Sequence, residues 1–122
     1  MEHTNSSLIK AVQLYLSHPE QATLIYGPIE NWNTSNVTQM TGLFCNAYTF
    51  NQDISKWNTS NVIDMSGMFC NAEQFNQDIS SWNILNVTHA GWMFCNAKQF
   101  NQDISDWDIS KIQDKNQMFE HD

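Results

Sequence analysis

The chain has 122 residues, which favours a single domain, and a formal net charge of −8 from 5 basic and 13 acidic side chains. So few positive charges, all of them lysine, exclude a protein that neutralises the phosphates of duplex nucleic acid or docks on anionic lipid. Hydrophobic residues make up 41% of the chain, enough to build a core and too many for a disordered protein. We therefore expect a folded domain with a protein partner, without nucleic-acid binding or membrane insertion.

Residues 1–30 carry helix signals. Ser6 or Ser7 is placed to act as the N-cap of a first helix, and Pro19 is placed to open a second short helix that runs through Ile25 and stops at Gly27. The apolar residues of the first helix follow helical spacing at Leu8, Ile9, Val12, Tyr15 and Leu16. We predict that this segment is an N-terminal helical cap over the array that follows.

Residues 31–122 repeat with a period of 25 residues. The repeated positions include Trp32, Trp57, Trp82 and Trp107, then Phe44, Phe69, Phe94 and Phe119, and also Cys45, Cys70 and Cys95. The hexapeptide Phe-Asn-Gln-Asp-Ile-Ser is identical at 50–55, 75–80 and 100–105. These positions define units at 32–56, 57–81 and 82–106 and a partial unit at 107–122, which we expect to form one cooperative body.

A repeat of this length predicts stacked coils in which each residue lies above its equivalents. Coils joined by strand pairing lie about 4.8 Å apart. The segment Asp-Ile-Ser-x-Trp predicts a short strand, and Gly-x-Phe-Cys-Asn-Ala predicts a helical or 3₁₀ turn. Side-chain amides are expected to form hydrogen-bonded ladders along three columns, Asn36/Asn61/Asn86, Asn46/Asn71/Asn96 and Asn51/Asn76/Asn101.

The unit Trp-Asn-Thr-Ser-Asn-Val-x-x-Met-x-Gly-Met/Leu-Phe-x-x-Ala-x-x-Phe-Asn-Gln-Asp-Ile-Ser resembles the 25- to 26-residue repeat of bacterial and Mycoplasma surface lipoproteins, which is related to BspA-like leucine-rich repeats. The lead-in Ala11-Val12…Tyr26-Gly27-Pro28-Ile29 resembles the helical segment that often precedes such arrays. The resemblance implies a leucine-rich-repeat-like solenoid of short β-strands and turns with a helical cap. It also implies adhesion or protein binding at the cell surface or after secretion, whereas the sequence as written has no leader or membrane-spanning segment and by itself indicates an intracellular protein.

Repetition argues against an enzyme, because catalysis needs one asymmetric set of groups, and no catalytic or cofactor motif is present. We predict a non-enzymatic interaction module that uses a repeated strand face. Its candidate contact residues are Gln52, Gln77, Gln102, Lys56, Ser81, Asp106 and Trp92. Trp92 replaces a glycine of the other units, and we favour a core position in which it fills the space left by Ala90 over an exposed anchor for a partner.

Three alternatives concern other columns. The last unit could pair with a second chain and form a homo-oligomer through Trp107, Ile112, Met118 and Phe119. The column Asp53, Asp78 and Asp103 could bind Ca²⁺ between coils, although we favour carboxylates that accept backbone N–H bonds in their own turns. The three cysteines are best interpreted as small buried apolar residues, with a soft-metal ladder or a disulfide as the alternatives. We expect no other cofactor.

Overall fold

The computed structural model describes residues 1–119. Two helices open the chain, α1 at Asn5–Ser17 and α2 at Pro19–Tyr26, and a 3₁₀ turn at Ile29–Asn31 follows. Within the described range there is no further helix and no strand, and β-structure is limited to isolated parallel bridges. Neither helix has the length and hydropathy that crossing a membrane requires.

The N-terminal helices begin and end at local signals. Thr4, rather than Ser6 or Ser7, is the N-cap of α1, because its hydroxyl accepts a bond from the Ser7 N–H at 3.1 Å while Ser7 Oγ accepts one from the Thr4 N–H at 2.8 Å. Helix α2 starts at Pro19, as the sequence predicts, and ends at Gly27, whose φ is 80°.

The predicted leucine-rich-repeat-like solenoid of short β-strands is wrong. The segment from Asp53 to Trp57, predicted as a strand, has no ladder and passes into a turn at Ser55. Most of the rest of each unit is a succession of turns, and units meet through single bridges at Gln39↔Asp64, Asp64↔His89 and His89↔Asp114.

Backbone conformation prevents a continuous strand in the part of each unit that contacts the next coil. Gly42 (φ 61°) and Asn46 (φ 63°) both lie in the left-handed region, which interrupts an extended backbone twice within five residues. The same conformation recurs at the equivalent positions Gly67, Asn71, Trp92, Asn96 and Gln117. An extended strand cannot pass through such positions, so each unit turns repeatedly as it stacks.

Successive coils are nevertheless joined by a regular set of backbone hydrogen bonds. Alternate N–H groups donate to carbonyls 24 residues later at 2.8–2.9 Å, from Met40, Gly42, Phe44 and Asn46 to Asp64, Ser66, Met68 and Cys70. The intervening N–H groups of Leu43, Cys45 and Ala47 donate three residues back within their own coil. The second coil contacts the third in the same way. Of the eight residues from Met40 to Ala47, four therefore hold coils together through their N–H groups and three close turns.

Aromatic side chains fill the centre of the stack. The rings of Phe44, Phe69 and Phe94 stack with 5.7 Å between successive centroids, and Phe50 lies 4.2 Å from Phe44 within the first coil. All four rings are buried. The indole of Trp57 donates its N–H to the Ile29 carbonyl at 2.8 Å, and Trp82 and Trp107 make the equivalent bond 28 residues back. Each of these tryptophans thus buries its ring with its one polar atom satisfied.

The N-terminal helices cover the end of the core at the first coil. Leu8, Ala11 and Val12 of α1 are buried in the same core as the repeats, and the Tyr15 ring meets Trp32 and Phe50 edge-on at 6.2 Å. The side chain of Asn5 also substitutes for a preceding coil, because it accepts the Thr38 N–H at 2.9 Å and donates to the Thr38 hydroxyl at 3.0 Å.

The predicted asparagine ladders are present. Asn71 donates its side-chain amide to Asn46 Oδ1 at 2.8 Å, and Asn96 donates to Asn71 Oδ1 at 3.1 Å. In the second column Asn61 and Asn86 donate to the Ser35 and Ser60 carbonyls, and in the third Asn51 and Asn76 accept the N–H groups of Asn76 and Asn101. The excess of asparagine therefore serves both the turns and the contacts between coils.

We expect Asn71→Ala to reduce the free energy of unfolding by about 2 kcal/mol, because alanine loses the ladder bonds and is strained at φ 63°. Asn71→Gly is the matched control, since glycine loses the same bonds without strain, and we expect about half that loss. Urea unfolding of the variants measures both values. Equal losses would show that the left-handed conformation costs nothing at this position.

Candidate functional site

Two of the three glutamines predicted as partner contacts form hydrogen bonds to a neighbouring coil. Gln77 donates its side-chain amide to the Asn51 carbonyl at 2.9 Å, and Gln102 donates to the Asn76 carbonyl at 3.2 Å. Gln52 lies in the first coil, is exposed, and lines an open groove of about 450 Å³ with Tyr15, Leu16, Pro19 and Tyr48, among others. The structure therefore places the three glutamines in one column, but the side chains of two of them connect neighbouring coils.

Lys56, Ser81 and Asp106 are exposed at equivalent positions of successive coils. Ser81 donates its hydroxyl to the Ser55 carbonyl at 3.5 Å, and none of the three residues lines the groove beside Gln52, the groove at the last described coil or the groove across the coils. The structure thus places them on the surface, as the sequence predicts, and outside these three grooves.

Trp92 is on the surface, so the favoured interpretation of Trp92 as a core filler is wrong. Its side chain is 43% exposed, whereas the neighbouring Ala90 and Met93 are buried. Trp92 occupies the left-handed position of Gly42 and Gly67 with φ 62°, a strained conformation for a large side chain. The backbone bond from the Trp92 N–H to the Asn116 carbonyl at 2.9 Å holds this position in register with the next coil.

The three aspartates of the predicted column accept backbone N–H bonds in their own turns, which is the interpretation that we favoured from the sequence. Asp53, Asp78 and Asp103 each accept the N–H of the serine two residues later, at 2.9, 3.0 and 3.0 Å. Hydrogen bonds from the side chain and then the backbone of that serine lower the pKa of each carboxyl. In residues 1–119 no three cysteine, histidine or carboxylate side chains converge as metal ligands.

The cysteine column is graded in exposure. Cys95 is buried, Cys70 is half-buried and Cys45 is exposed, and all three are free thiols. The interpretation as small core residues therefore holds for Cys95 and is wrong for Cys45. Burial, together with the neighbouring thiols of Cys95 and Cys45, raises the pKa of the Cys70 thiol to about 11.

The residues predicted for self-association lie partly in the core. Trp107, Ile112 and Met118 are buried, and Phe119 is exposed. Trp107, Met118 and Phe119 line a groove of about 380 Å³ at the last described coil, together with Ile104, Ser105, Ile109 and Lys115, and Ile112 lies outside it.

A wider groove that we did not predict crosses the coils. It measures about 610 Å³, and we call it the cross-coil groove; its lining is Asn36, Thr38, Asn61, Ile63, Asn86, Thr88 and Lys111. The signal in the sequence is the valine of each Asn-Val-x segment. Val37, Val62 and Val87 are buried, so the residues on either side of each valine are directed away from the core.

The cross-coil groove differs from end to end. Ile63, 42% exposed, gives it an apolar centre. At one end Asn36 donates to the Glu2 carboxylate at 3.0 Å, and at the other end lies the Lys111 ammonium group. The lining combines amide and hydroxyl groups, the Ile63 side chain and the Lys111 ammonium group, so the groove offers hydrogen bonds, apolar contact and one positive charge.

We expect the unfolding temperature of the protein to fall with pH below about pH 4, the usual range of an aspartate pKa. The pKa values of Asp53, Asp78 and Asp103 are lowered in the folded state. Their contribution to stability is therefore complete above the unfolded pKa and is lost as pH falls through the lower folded pKa. Thermal unfolding followed by circular dichroism over this range measures the slope.

The control is a triple variant with Asn at all three positions. Asparagine makes the same turn at Asn33, Asn58 and Asn83, where Oδ1 accepts an N–H two residues later at 3.0 Å. The variant should fold and lose part of the acid dependence, and an unchanged slope would show that these carboxylates do not contribute to it.

Comparison with known proteins gives a family without an assigned activity. The family described as Mycoplasma protein of unknown function, DUF285, matches residues 16–122, which include all of the repeats. No curated protein and no solved structure gave a significant match. The expectation of a Mycoplasma-type repeat family is confirmed at that level, and the chain belongs to the DUF285 family.

Proposed function

We propose that this chain is a non-enzymatic interaction module that binds an extended segment of a partner protein in the cross-coil groove. The observation that carries the proposal is that the groove is lined by equivalent residues of successive coils. Such a surface offers similar side chains at a spacing of about 4.8 Å, which suits a ligand that is itself extended.

The lining has the chemistry for a peptide backbone. Asn61 and Asn86 each use one side-chain N–H on the preceding coil, which leaves the amide oxygen and the second N–H of each for a ligand, and Ile63 supplies an apolar contact between them. Four coils span about 14 Å, and an extended chain rises about 3.3 Å per residue, so the groove accommodates four to five residues. Hydrogen bonds to the partner's main chain would supply affinity and the central isoleucine would select an apolar side chain.

Charge sets the preferred direction of the partner. The acidic group of Glu2 favours a basic residue at the first-coil end, and Lys111 favours an acidic residue at the other end. The net charge of −8 favours partners that are neutral or basic as a whole. The resemblance of the unit to surface lipoprotein repeats also supports a binding role.

We expect peptides selected from a phage-displayed random library to lose at least about tenfold in affinity when Ile63→Glu is introduced, a change of about 1.4 kcal/mol. The substitution puts a charge on the apolar centre of the groove. The matched control is Ser81→Glu, which adds the same charge at an exposed position outside the groove. Fluorescence anisotropy with labelled selected peptides measures both affinities.

Two results would contradict the proposal. One is that the library yields no peptide enriched above a control selection carried out without the protein. The other is a set of peptides for which Ile63→Glu and Ser81→Glu change affinity equally.

A second candidate function is self-association at the last described coil. The groove there is mostly apolar, and Phe119 and Ile109 are exposed beside it. Two such faces placed together would bury apolar area on both chains, which is the main source of stability in a homodimer interface.

We expect light scattering to show a mass that rises with concentration and that Ile109→Glu returns to the monomer value, because a charge in the contact is costly to bury. Leu85→Glu is the control, since Leu85 and Ile109 are both 42% exposed and Leu85 lies outside the groove. A constant monomer mass in all three proteins would exclude this second function.

A further inference from the structure

The three cysteines form one column rather than three separate thiols, and the column runs from the exposed Cys45 to the buried Cys95. Each one donates its N–H to the carbonyl three residues earlier, at 3.0 Å for Cys45 and 3.1 Å for Cys70 and Cys95. Because the same local turn holds each cysteine, the three side chains leave the backbone in equivalent positions.

Residues on both sides of the column fix its register. On one side the rings of Phe44 and Phe69 stack at 5.7 Å. On the other side the amides of Asn46 and Asn71 are in direct contact at 2.8 Å, and the Asn46 N–H donates to the Cys70 carbonyl at 2.8 Å. Because backbone hydrogen bonds join these coils, we place neighbouring thiols about one coil spacing apart, about 4.8 Å for hydrogen-bonded chains.

That spacing suits a bridging metal ion better than a disulfide. A disulfide brings the two Cβ atoms to about 3.5–4.5 Å, closer than side chains in parallel register on coils about 4.8 Å apart. A metal–thiolate bond is about 2.3 Å long, so a linear sulfur–metal–sulfur unit spans about 4.6 Å. The coil spacing fits such a unit without movement of the backbone.

We propose that adjacent thiols of this column bind a soft monovalent cation, Cu(I), in two-coordinate geometry, with Cys45 and Cys70 as the accessible pair. Two thiols release two protons and form two bonds to one Cu(I), which leaves one net negative charge at the site and changes no oxidation state. Thiolate is the ligand type that selects Cu(I), and a site with two ligands in line does not satisfy Zn²⁺, which takes four.

Exposure agrees with this assignment. Cys45 is exposed and gives the ion access, while the half-buried Cys70 is partly shielded from solvent.

The experiment is anaerobic competition for Cu(I) between the reduced protein and bicinchoninate, followed by the colour of the bicinchoninate complex. Two variants with equal numbers of thiols separate a column from independent cysteines. Cys95→Ala keeps the adjacent pair Cys45 and Cys70, whereas Cys70→Ala leaves two thiols about 9.6 Å apart, too far for one ion to bridge.

We expect the wild type and Cys95→Ala to take one Cu(I) as monomers, and Cys70→Ala to lose affinity by about 100-fold or more, because the second ligand no longer acts intramolecularly. Thermal unfolding without metal checks that each variant is folded. The double variant Cys45→Ala/Cys95→Ala, which keeps Cys70 alone, should lose affinity to the same extent.

Three results would overturn the proposal. The wild type could fail to compete with bicinchoninate. Cys70→Ala could bind as tightly as Cys95→Ala, which would show that the thiols act independently. Light scattering could show that Cu(I) is taken up only by dimers, which would show that the ligands come from different chains.

Discussion

The structure depends on two sets of backbone N–H groups, one that donates to the next coil and one that donates within its own coil. From Met40 to Ala47 alternate donors reach the next coil, and most of those between them close turns within their own coil. Every buried backbone donor needs a partner, and a chain that turns this often has no continuous strand to provide one. Using each coil as the hydrogen-bonding partner of the next solves that problem without a β-sheet.

This arrangement explains which side chains are repeated. The left-handed positions require residues that tolerate positive φ, and glycine and asparagine occupy them at Gly42, Asn46, Gly67 and Asn71. Buried tryptophan and phenylalanine then supply apolar area at a constant spacing, and each indole N–H that reaches back 28 residues ties a turn to an earlier coil. Trp92 is the exception, since it takes a left-handed position with a large side chain and leaves the ring on the surface.

Stacking also brings equivalent surface residues of successive coils together in columns, which a single coil does not form. Columns with inward or coil-to-coil bonds, such as Gln77 on Asn51, hold the fold and have little left for a partner. In the cross-coil groove, Asn61 and Asn86 use one side-chain N–H between coils and keep the amide oxygen and second N–H for a ligand. A column of thiols places potential ligands one coil apart. A repeated residue is therefore a candidate contact through the polar atoms that the bonds between coils leave unused.

The sequence was enough to predict the period, the asparagine ladders, the repeated aromatic positions and the start of α2, because each of these follows from local chemistry or from residue spacing. It predicted strands where the structure has turns, since β-branched alternation in Asp-Ile-Ser-x-Trp does not reveal the left-handed positions that bend the rest of the unit. The exposure of Cys45 and Trp92 and the bond from Gln77 to Asn51 could not be predicted from the sequence. Exposure and hydrogen-bond partners depend on the neighbouring coil, 25 residues away in sequence, and a pattern within one unit does not contain that information.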